Sequence, residues 1–243
     1  MRLEFLGTGG FHPNERRHTA CIMLPEIGLV FDAGTSAFRI PENVQTDSLD
    51  IFLSHAHLDH VAGLTFLLTP MLMGDFSVRL IARCETLDAV QNHLLDQRLF
   101  PIKPPYEYIE LADEMPVGGD GVLTHVPLKH PGGSVGYRID WPDRSLAYIT
   151  DTVADGSYTE FLRDVDVLIH ECYFPDNMAD WALKTGHSHS TPVAELAREV
   201  NAKQLWLVHV DPQRTDDDPV DLEAMRDIFP ETWLAEDATT LEF

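Results

Sequence analysis

The chain has 243 residues, 44% of them hydrophobic, and is long enough to bury a sizeable core as one compact unit. Forty acidic residues against seventeen basic ones give a formal net charge of -23. Because a mean field of this sign repels polyanions, we expect no nucleic-acid partner unless a local basic patch overrides it, and a small anionic substrate held by metal remains open.

Short apolar strands dominate the first third of the chain, with glycine or proline between them. We predict strands over Arg2–Leu6, Ala20–Leu24, Leu29–Asp32 and Asp50–Ser54. Helical patterns then alternate with strands. We predict helices over Leu58–Leu68 and Glu85–Leu95 around a strand at Val78–Ala82.

The remaining two thirds return first to strands and then to strand–helix pairs. The predicted strands are Val122–Lys129, Ser134–Asp140, Ser145–Thr150, Val165–Ile169 and Gln204–Val210, and the predicted helices are Pro192–Val200 and Val220–Phe229. This mixture predicts two sheets covered by helices. No linker stands out, so we predict a single domain over residues 1–243.

Three cysteines, Cys21, Cys84 and Cys172, lie far apart without paired spacing. This usage favours reduced thiols and a cytoplasmic location over a disulfide framework. The first residues lack the apolar core of a secretory signal, and no later apolar run reaches membrane-spanning length, so we expect no membrane partner.

The segment SHAHLDH, residues 54–60, places three histidines and an aspartate directly after a predicted strand. His55, His57, Asp59 and His60 are donors of the kind that a metal site needs, and a strand end holds such side chains still. The alternative is a polar turn in which the histidines only face solvent.

Three later strands also end in donor residues. His130, Asp151 and His209 each follow an apolar run. Taken singly, each has an ordinary explanation: a surface histidine, a helix N-cap and a buried core histidine. Together with the first segment, seven donors at the carboxyl ends of strands can converge at one sheet edge.

These residues resemble the metallo-β-lactamase fold hydrolases, whose signature H-x-H-x-D-H is matched by residues 55–60. The chain looks most like the ribonuclease Z and phosphoribosyl cyclic phosphodiesterase branch. Four further segments fall in the expected order, namely LGTGG (6–10), FDAG (31–34), His130 with GYRI (136–139), and ITDT (149–152). The resemblance implies an α+β, αββα sandwich with two mixed sheets packed face to face and helices outside.

The resemblance also implies a ligand set. One metal would be held by His55, His57 and His130, and a second by Asp59, His60 and His209. Asp151 would bridge the two ions. Asp32 resembles the family's aspartate that orients a ligating imidazole without binding metal, although an ordinary turn aspartate is the alternative.

Nitrogen and carboxylate donors without thiolate favour two Zn²⁺ ions, with Mn²⁺ or iron admissible. Such a pair would lower the pKa of a shared water and polarise the phosphoryl group that the resulting hydroxide attacks. We therefore predict a metal-dependent hydrolase of phosphodiester type, with Asp59 counted among its catalytic residues.

A leaving alkoxide also needs a proton. Glu171 follows the predicted strand that ends at Ile169, and GHSHST (186–191) precedes a helix. Both segments resemble family motifs, which assigns a relay to Glu171 and His187. His189 is the alternative to His187. For either residue, the other interpretation is a histidine that only faces solvent.

Only twenty residues separate His130 from Asp151, an interval in which bacterial ribonuclease Z proteins commonly carry a long basic arm. With the acidic net charge, this leads us to expect a small cyclic or diester phosphate as substrate and to disfavour tRNA 3′ processing. Arg16 and Arg17 are open candidates for contact with that anion.

Three other readings stay open at this level. The same site could hydrolyse an ester, a thioester or a lactone. The chain could be a metal-binding or carrier protein without catalysis, because a fold does not determine function. A homodimer is compatible with the sequence.

Overall fold

The computed structural model describes all residues from Met1 to Phe243 and contains fourteen strands. They are β1 (Arg2–Gly7), β2 (Cys21–Leu24), β3 (Leu29–Phe31), β4 (Ser48–Phe52), β5 (Ser77–Ala82), β6 (Glu107–Glu110), β7 (Glu114–Val117), β8 (Gly121–Leu128), β9 (Ser134–Asp140), β10 (Ser145–Ile149), β11 (Val167–Glu171), β12 (Gln204–Val208), β13 (Thr232–Leu234) and β14 (Thr239–Glu242).

Seven short α-helices connect or flank these strands. They are α1 (Ile40–Asn43), α2 (Leu58–Val61), α3 (Leu68–Met73), α4 (Cys84–Ala89), α5 (Ala179–Thr185), α6 (Ser190–Glu199) and α7 (Leu222–Ile228). Five 3₁₀ turns cover Pro25–Ile27, Thr35–Arg39, Ala62–Leu67, Glu160–Leu162 and Asp176–Met178, and a π-helical turn covers Val90–Leu94. No helix combines the length and the apolar character that crossing a bilayer requires.

The chain divides into two compact units. Unit 1 comprises residues 1–112 and 236–243 and holds a seven-stranded sheet in the order β14-β1-β2-β3-β4-β5-β6. Neighbours from β14 to β3 pair antiparallel, and neighbours from β3 to β6 pair parallel. Because parallel strands end at the same edge, the residues after β3 and β4 lie side by side.

Alternation along the parallel strands builds the core of unit 1. Leu49 and Ile51 of β4, together with Leu53 just beyond it, share one buried cluster with Val78 and Leu80 of β5. Residues two apart lie on the same face of a strand, so this spacing turns one face of each strand toward the cluster. The strand ends that carry polar side chains are thereby fixed by packing.

Unit 2 comprises residues 113–235 and holds the second sheet, in the order β13-β12-β11-β10-β9-β8-β7. Here β10 to β13 pair parallel and β7 to β10 pair antiparallel. Since β8 therefore runs in the same direction as β10, five strands of this sheet, β8, β10, β11, β12 and β13, run toward one edge.

Helix α6 covers one face of the unit 2 sheet. Val193, Ala194 and Ala197 of α6 share a buried cluster with Leu168 of β11 and Leu205 of β12. The spacing of three and four residues forms one stripe of a helix, which is why this segment packs as a helix on the sheet.

The predicted α+β class with two mixed sheets is confirmed. The predicted continuous helix Leu58–Leu68 is wrong, because a 3₁₀ turn at Ala62–Leu67 separates α2 from α3. The Gly63 amide donates to the Ala33 carbonyl at 2.8 Å instead of to a carbonyl of its own helix. A contact distant in sequence thus replaces an α-helical bond. The single-domain assignment stays a prediction.

Candidate metal centre

The histidine-rich segment of unit 1 folds as a turn after β4 that runs into α2. The ring centroids of His55 and His57 lie 4.5 Å apart, and those of His55 and His60 lie 4.3 Å apart. The Asp59 carboxylate is 3.5 Å from His60 Nε2. His55 and His60 are buried, whereas His57 is exposed. The four predicted ligands of this unit therefore do lie together.

Asp32 fixes the orientation of this cluster. It is fully buried after β3, and its carboxylate accepts hydrogen bonds from the Ser54 amide (2.7 Å), the Ser54 hydroxyl (2.9 Å) and His60 Nδ1 (2.8 Å). Since a carboxylate only accepts, the proton of His60 sits on Nδ1 and the Nε2 lone pair is available to a cation.

The Ser54 hydroxyl determines the position of the proton on His55 in the same way. Ser54 has one hydroxyl proton, which goes to Asp32, so its oxygen accepts from His55 Nδ1 at 2.9 Å. The proton of His55 is thereby also placed on Nδ1. Asp32 and Ser54 act together to present two Nε2 lone pairs. This role of Ser54 could not be predicted, since a serine beside a histidine carries no distinctive signal in the sequence.

Unit 2 brings its three predicted ligands together at the ends of β8, β10 and β12. Asp151 Oδ2 lies 3.4 Å from His130 Nε2, and Asp151 Oδ1 lies 3.1 Å from His209 Nε2. All three side chains are 3% exposed or less. Each carboxylate oxygen therefore faces a different imidazole.

The position of the proton on the His130 ring indicates whether a cation fits between His130 and Asp151. His130 Nδ1 donates to the Gly186 carbonyl at 2.9 Å, so the neutral ring presents its Nε2 lone pair to the Asp151 carboxylate. A lone pair facing an anion in a buried place is repulsive unless a proton or a metal ion lies between them. The donor set fits a metal, and nitrogen with carboxylate oxygen is the chemistry of zinc sites.

Glu171 and His187 form a second polar group in unit 2. The fully buried Glu171 carboxylate accepts from the Thr152 amide (2.7 Å), the Ser188 amide (3.1 Å) and His187 Nδ1 (3.0 Å). The donor atoms of Glu171, His187 and His209 lie within 4.8 Å of one another.

Aromatic neighbours hold the His187 ring in place. It stacks on Tyr173, with centroids 4.6 Å apart and planes at 21°, and its centroid is 5.0 Å from that of His130. Tyr173 was not among the residues selected from the sequence, because an aromatic after a buried strand is equally typical of a core.

His189 has different partners from His187. Its Nδ1 lies 2.6 Å from Asp176 Oδ1, and the same carboxylate accepts from the Thr191 amide at 2.9 Å. His189 thus belongs to the start of α6. The two alternatives for the relay therefore occupy different surroundings, with His187 against Glu171.

From the sequence we expected Glu171 to follow the strand. In the structure Glu171 is the last residue of β11. Parallel pairing with β12 continues to Glu171 and Val208, and His170 next to it is fully buried. Burial lowers the pKa of His170, so the ring is neutral. Its Nδ1 donates to the Glu171 carbonyl (2.6 Å), and its Nε2 accepts from the Tyr158 hydroxyl (2.8 Å).

Arg16 and Arg17, the open candidates for substrate contact, both bind Glu236 of unit 1. Arg16 Nη2 lies 2.6 Å and Arg17 Nη2 lies 2.8 Å from Glu236 Oε1. Arg17 is buried, and desolvation lowers its pKa from the usual value. The charge of both guanidinium groups is therefore offset within the unit.

Comparison with known proteins identifies similar chains along the whole length. A family model described as "Beta-lactamase superfamily domain" matches residues 29–210. Ribonuclease Z of Archaeoglobus fulgidus is 29% identical, with 100% of this chain and 97% of the relative covered. Ribonuclease Z of Methanosarcina acetivorans is 26% identical, with 100% and 98% covered.

Two solved structures show the same fold. The metallo-beta-lactamase fold protein YhfI from Bacillus subtilis has a TM-score of 0.83 at 21% identity, covering 100% of this chain and 98% of that one. Human tRNase Z, short form, has a TM-score of 0.78 at 21% identity, covering 100% and 99%. The predicted metallo-β-lactamase fold and the resemblance to the ribonuclease Z branch are confirmed, as is the class of metal-dependent hydrolase.

Two predictions are wrong. We expected a small cyclic or diester phosphate as substrate and no nucleic-acid partner, but relatives matched over the full chain are ribonucleases by name. The net charge of -23 describes the mean field and not the surface that meets a substrate. The short interval after His130 holds only the hairpin of β9 and β10, and the length of this interval does not decide the class of substrate.

Proposed function

Because this chain belongs to the family of the β-lactamase superfamily domain, we propose that it is a metal-dependent ribonuclease that hydrolyses a phosphodiester bond of tRNA precursors. The observation that carries the proposal is the likeness to proteins named Ribonuclease Z over all of the chain. The presence of every expected donor residue supports it further.

We propose that the donors of the two units bind two divalent ions, with zinc preferred. His55, His57 and His130 would hold one ion, and Asp59, His60 and His209 the other. The two oxygens of Asp151, each directed at a different imidazole, support its role as the bridge. When bound, such ions lower the pKa of a coordinated water and polarise the phosphoryl oxygens.

Glu171 and His187 are suited to protonate the leaving alkoxide. His187 Nδ1 donates to the buried Glu171 carboxylate, which stabilises a protonated ring and leaves Nε2–H as the acid. Glu171 is itself held by the Thr152 and Ser188 amides, so it cannot turn away from His187. The cytoplasmic location and a homodimer stay predictions.

The test is cleavage of a tRNA precursor with a 3′ extension by the purified protein. We expect cleavage that a chelator abolishes and that Zn²⁺ or Mn²⁺ restores. Asp151→Ala serves as the control that removes the proposed bridge. Failure to cut the RNA, with hydrolysis of a thioester or a lactone instead, would show that the proposed substrate is wrong.

A further inference from the structure

Phe11 lies in the loop after β1 with its ring in solvent. The residue is 65% exposed, and its backbone amide donates to Asp59 Oδ2 at 2.8 Å. The loop is held at both ends, because the Gly9 amide donates to the His18 carbonyl at 2.9 Å. The Phe11 ring therefore projects from a fixed backbone. The amide of that backbone is in direct contact with Asp59, a proposed metal ligand.

The backbone of Phe11 is unfavourable for its residue type. Its φ of 57° is in the left-handed region, which costs an L-residue other than glycine about 1 kcal/mol. Asn and Asp can offset this cost through local side-chain hydrogen bonds, but phenylalanine cannot. Because the ring is largely exposed, burial of apolar surface repays little of the cost either. Glycine would form the same turn without strain.

The charges of the chain indicate what kind of contact RNA binding would need. Most of the seventeen lysines and arginines lie within 4 Å of a carboxylate, as do Arg16, Arg17 and Arg39 near the same loop. Cations neutralised in this way gain little from releasing counterions of the RNA backbone. Stacking of bases on aromatic rings carries no net charge and tolerates any sequence.

We propose that the Phe11 ring stacks on a nucleobase next to the cleaved phosphodiester and so determines specificity for RNA over small diesters. This inference rests on the proposed function. The hydrogen bond to Asp59 holds the backbone of Phe11 beside the proposed metal-binding segment, and the left-handed turn fixes the direction in which the ring leaves that backbone. The substrate class is thereby narrowed to nucleic acid with an unpaired base at that point.

The test compares Phe11→Gly and Phe11→Trp with the wild-type enzyme. Glycine keeps the amide that binds Asp59 and removes only the ring, so we expect the KM for precursor RNA to rise roughly 5- to 100-fold relative to the KM for bis-p-nitrophenyl phosphate. Tryptophan should keep the wild-type KM. The change should appear in KM more than in kcat.

Two control variants separate stacking from other effects. Asp120→Gly relieves a φ of 61° in the turn before β8, and Leu99→Ala removes an exposed apolar side chain of unit 1. Neither should change the KM for RNA. A direct measurement uses RNA with 2-aminopurine beside the cleavage site, whose fluorescence should be quenched by wild type and Phe11→Trp but less by Phe11→Gly.

The outcomes are distinguishable. If the wild-type enzyme cleaves RNA and Phe11→Gly retains its KM and its quenching, the stacking role is wrong while the proposed function stands. An equal loss of RNA and small-diester hydrolysis would show that the ring supports the site as a whole and does not recognise a base, which also overturns the inference. No cleavage of RNA by the wild type would overturn the proposed function, and this inference with it.

Discussion

Three residues of the candidate site have a left-handed backbone within two residues of the end of a strand. Asp32 follows β3 with φ 57°, and in unit 2 Asp151 and His209 follow β10 and β12 with φ 45° and 58°. Such conformations are costly for residues other than glycine and persist where the surroundings determine them. At each of these residues the backbone leaves the direction of the strand. This change of direction turns the side-chain donor toward the neighbouring residues of the site.

Asp32 offers a prediction about metal affinity. In Asp32→Asn the hydrogen bonds of Ser54 and His60 can persist in part, but the negative charge that makes His60 Nε2 a better ligand is lost. We expect metal affinity to fall about 10- to 100-fold. Metal content after dialysis against graded chelator measures this. Asp47→Asn, an exposed carboxylate of the same unit, is the control, and equal metal retention in both variants would contradict the role of Asp32.

His187 and His189 give a second prediction at this scale. His187→Ala should lower kcat about 10²- to 10⁴-fold, since the proposed proton donor is gone. His189→Ala should keep most of the kcat, because His189 contacts Asp176 and not Glu171. Single-turnover rates on the same RNA compare them. Similar rates for the two variants would remove the assignment of His187.

At the scale of elements, Gly63 controls how the 3₁₀ turn Ala62–Leu67 packs. A Cβ added to Gly63 would lie 2.0 Å from the Gly34 carbonyl oxygen and 2.6 Å from the Ala37 Cβ, which are rigid groups. In Gly136→Ala the nearest atom is instead the flexible Ile149 Cδ1, at 2.5 Å.

We therefore expect Gly63→Ala to lower the free energy of unfolding by about 3 kcal/mol and Gly136→Ala by about 1 kcal/mol. Urea unfolding of the two variants checks the difference. A smaller loss for Gly63→Ala than for Gly136→Ala would mean that the 3₁₀ turn can move away from the Ala33–Gly34 backbone.

Strand β11 contributes a pH dependence through His170. Burial holds the pKa of this ring below its usual 6.5 in the folded state. Between the lowered pKa and about pH 6.5 the unfolded chain binds a proton that the folded chain does not, so stability falls as pH falls through this window and is complete above it.

We expect the wild type to lose more stability than His170→Gln between pH 7 and pH 5. Urea unfolding at each pH measures the difference, with His93→Gln, a change at an exposed histidine, as the control. Parallel pH profiles for wild type and His170→Gln would contradict a buried neutral His170 in the folded chain.

The elements also show what the sequence can predict. β9 was predicted with its observed bounds, Ser134–Asp140, because apolar residues and turn signals flank it on both sides. β7 was not predicted, because Pro116 argues against a strand. In the structure β7 is an edge strand, where proline is tolerated. The pairing of β14 with β1 joins opposite ends of the chain and leaves no local signal.

The residues of the candidate site also differ in whether they could be predicted from the sequence. The proposed ligands could be selected from sequence, because each follows an apolar strand and carries a metal-binding group. The role of Ser54 could not, since it depends on how Asp32 and His55 meet in the folded unit. The choice between His187 and His189 likewise depends on which ring reaches Glu171, and spacing alone leaves both open.

At the scale of the whole molecule, charge governs how RNA would bind. With an excess of acidic residues and most cations beside a carboxylate, few phosphates can be neutralised by this chain. We expect the logarithm of the binding constant for precursor RNA to fall with the logarithm of salt concentration at a slope shallower than about -3. Fluorescence anisotropy between low and physiological salt, with metal held constant, measures it. A slope as steep as that of basic nucleic-acid-binding proteins would show an unrecognised cationic surface.

The closure of the unit 1 sheet by β14 has a consequence for biosynthesis. β1 is translated before unit 2, yet its antiparallel partner, residues 239–242, is translated after all of unit 2. Until then one edge of β1 offers unpaired amides and carbonyls that can recruit another nascent chain. A message truncated before codon 236 would make a product with this edge permanently open, and we expect that product to be retained by chaperones or cleared by proteases.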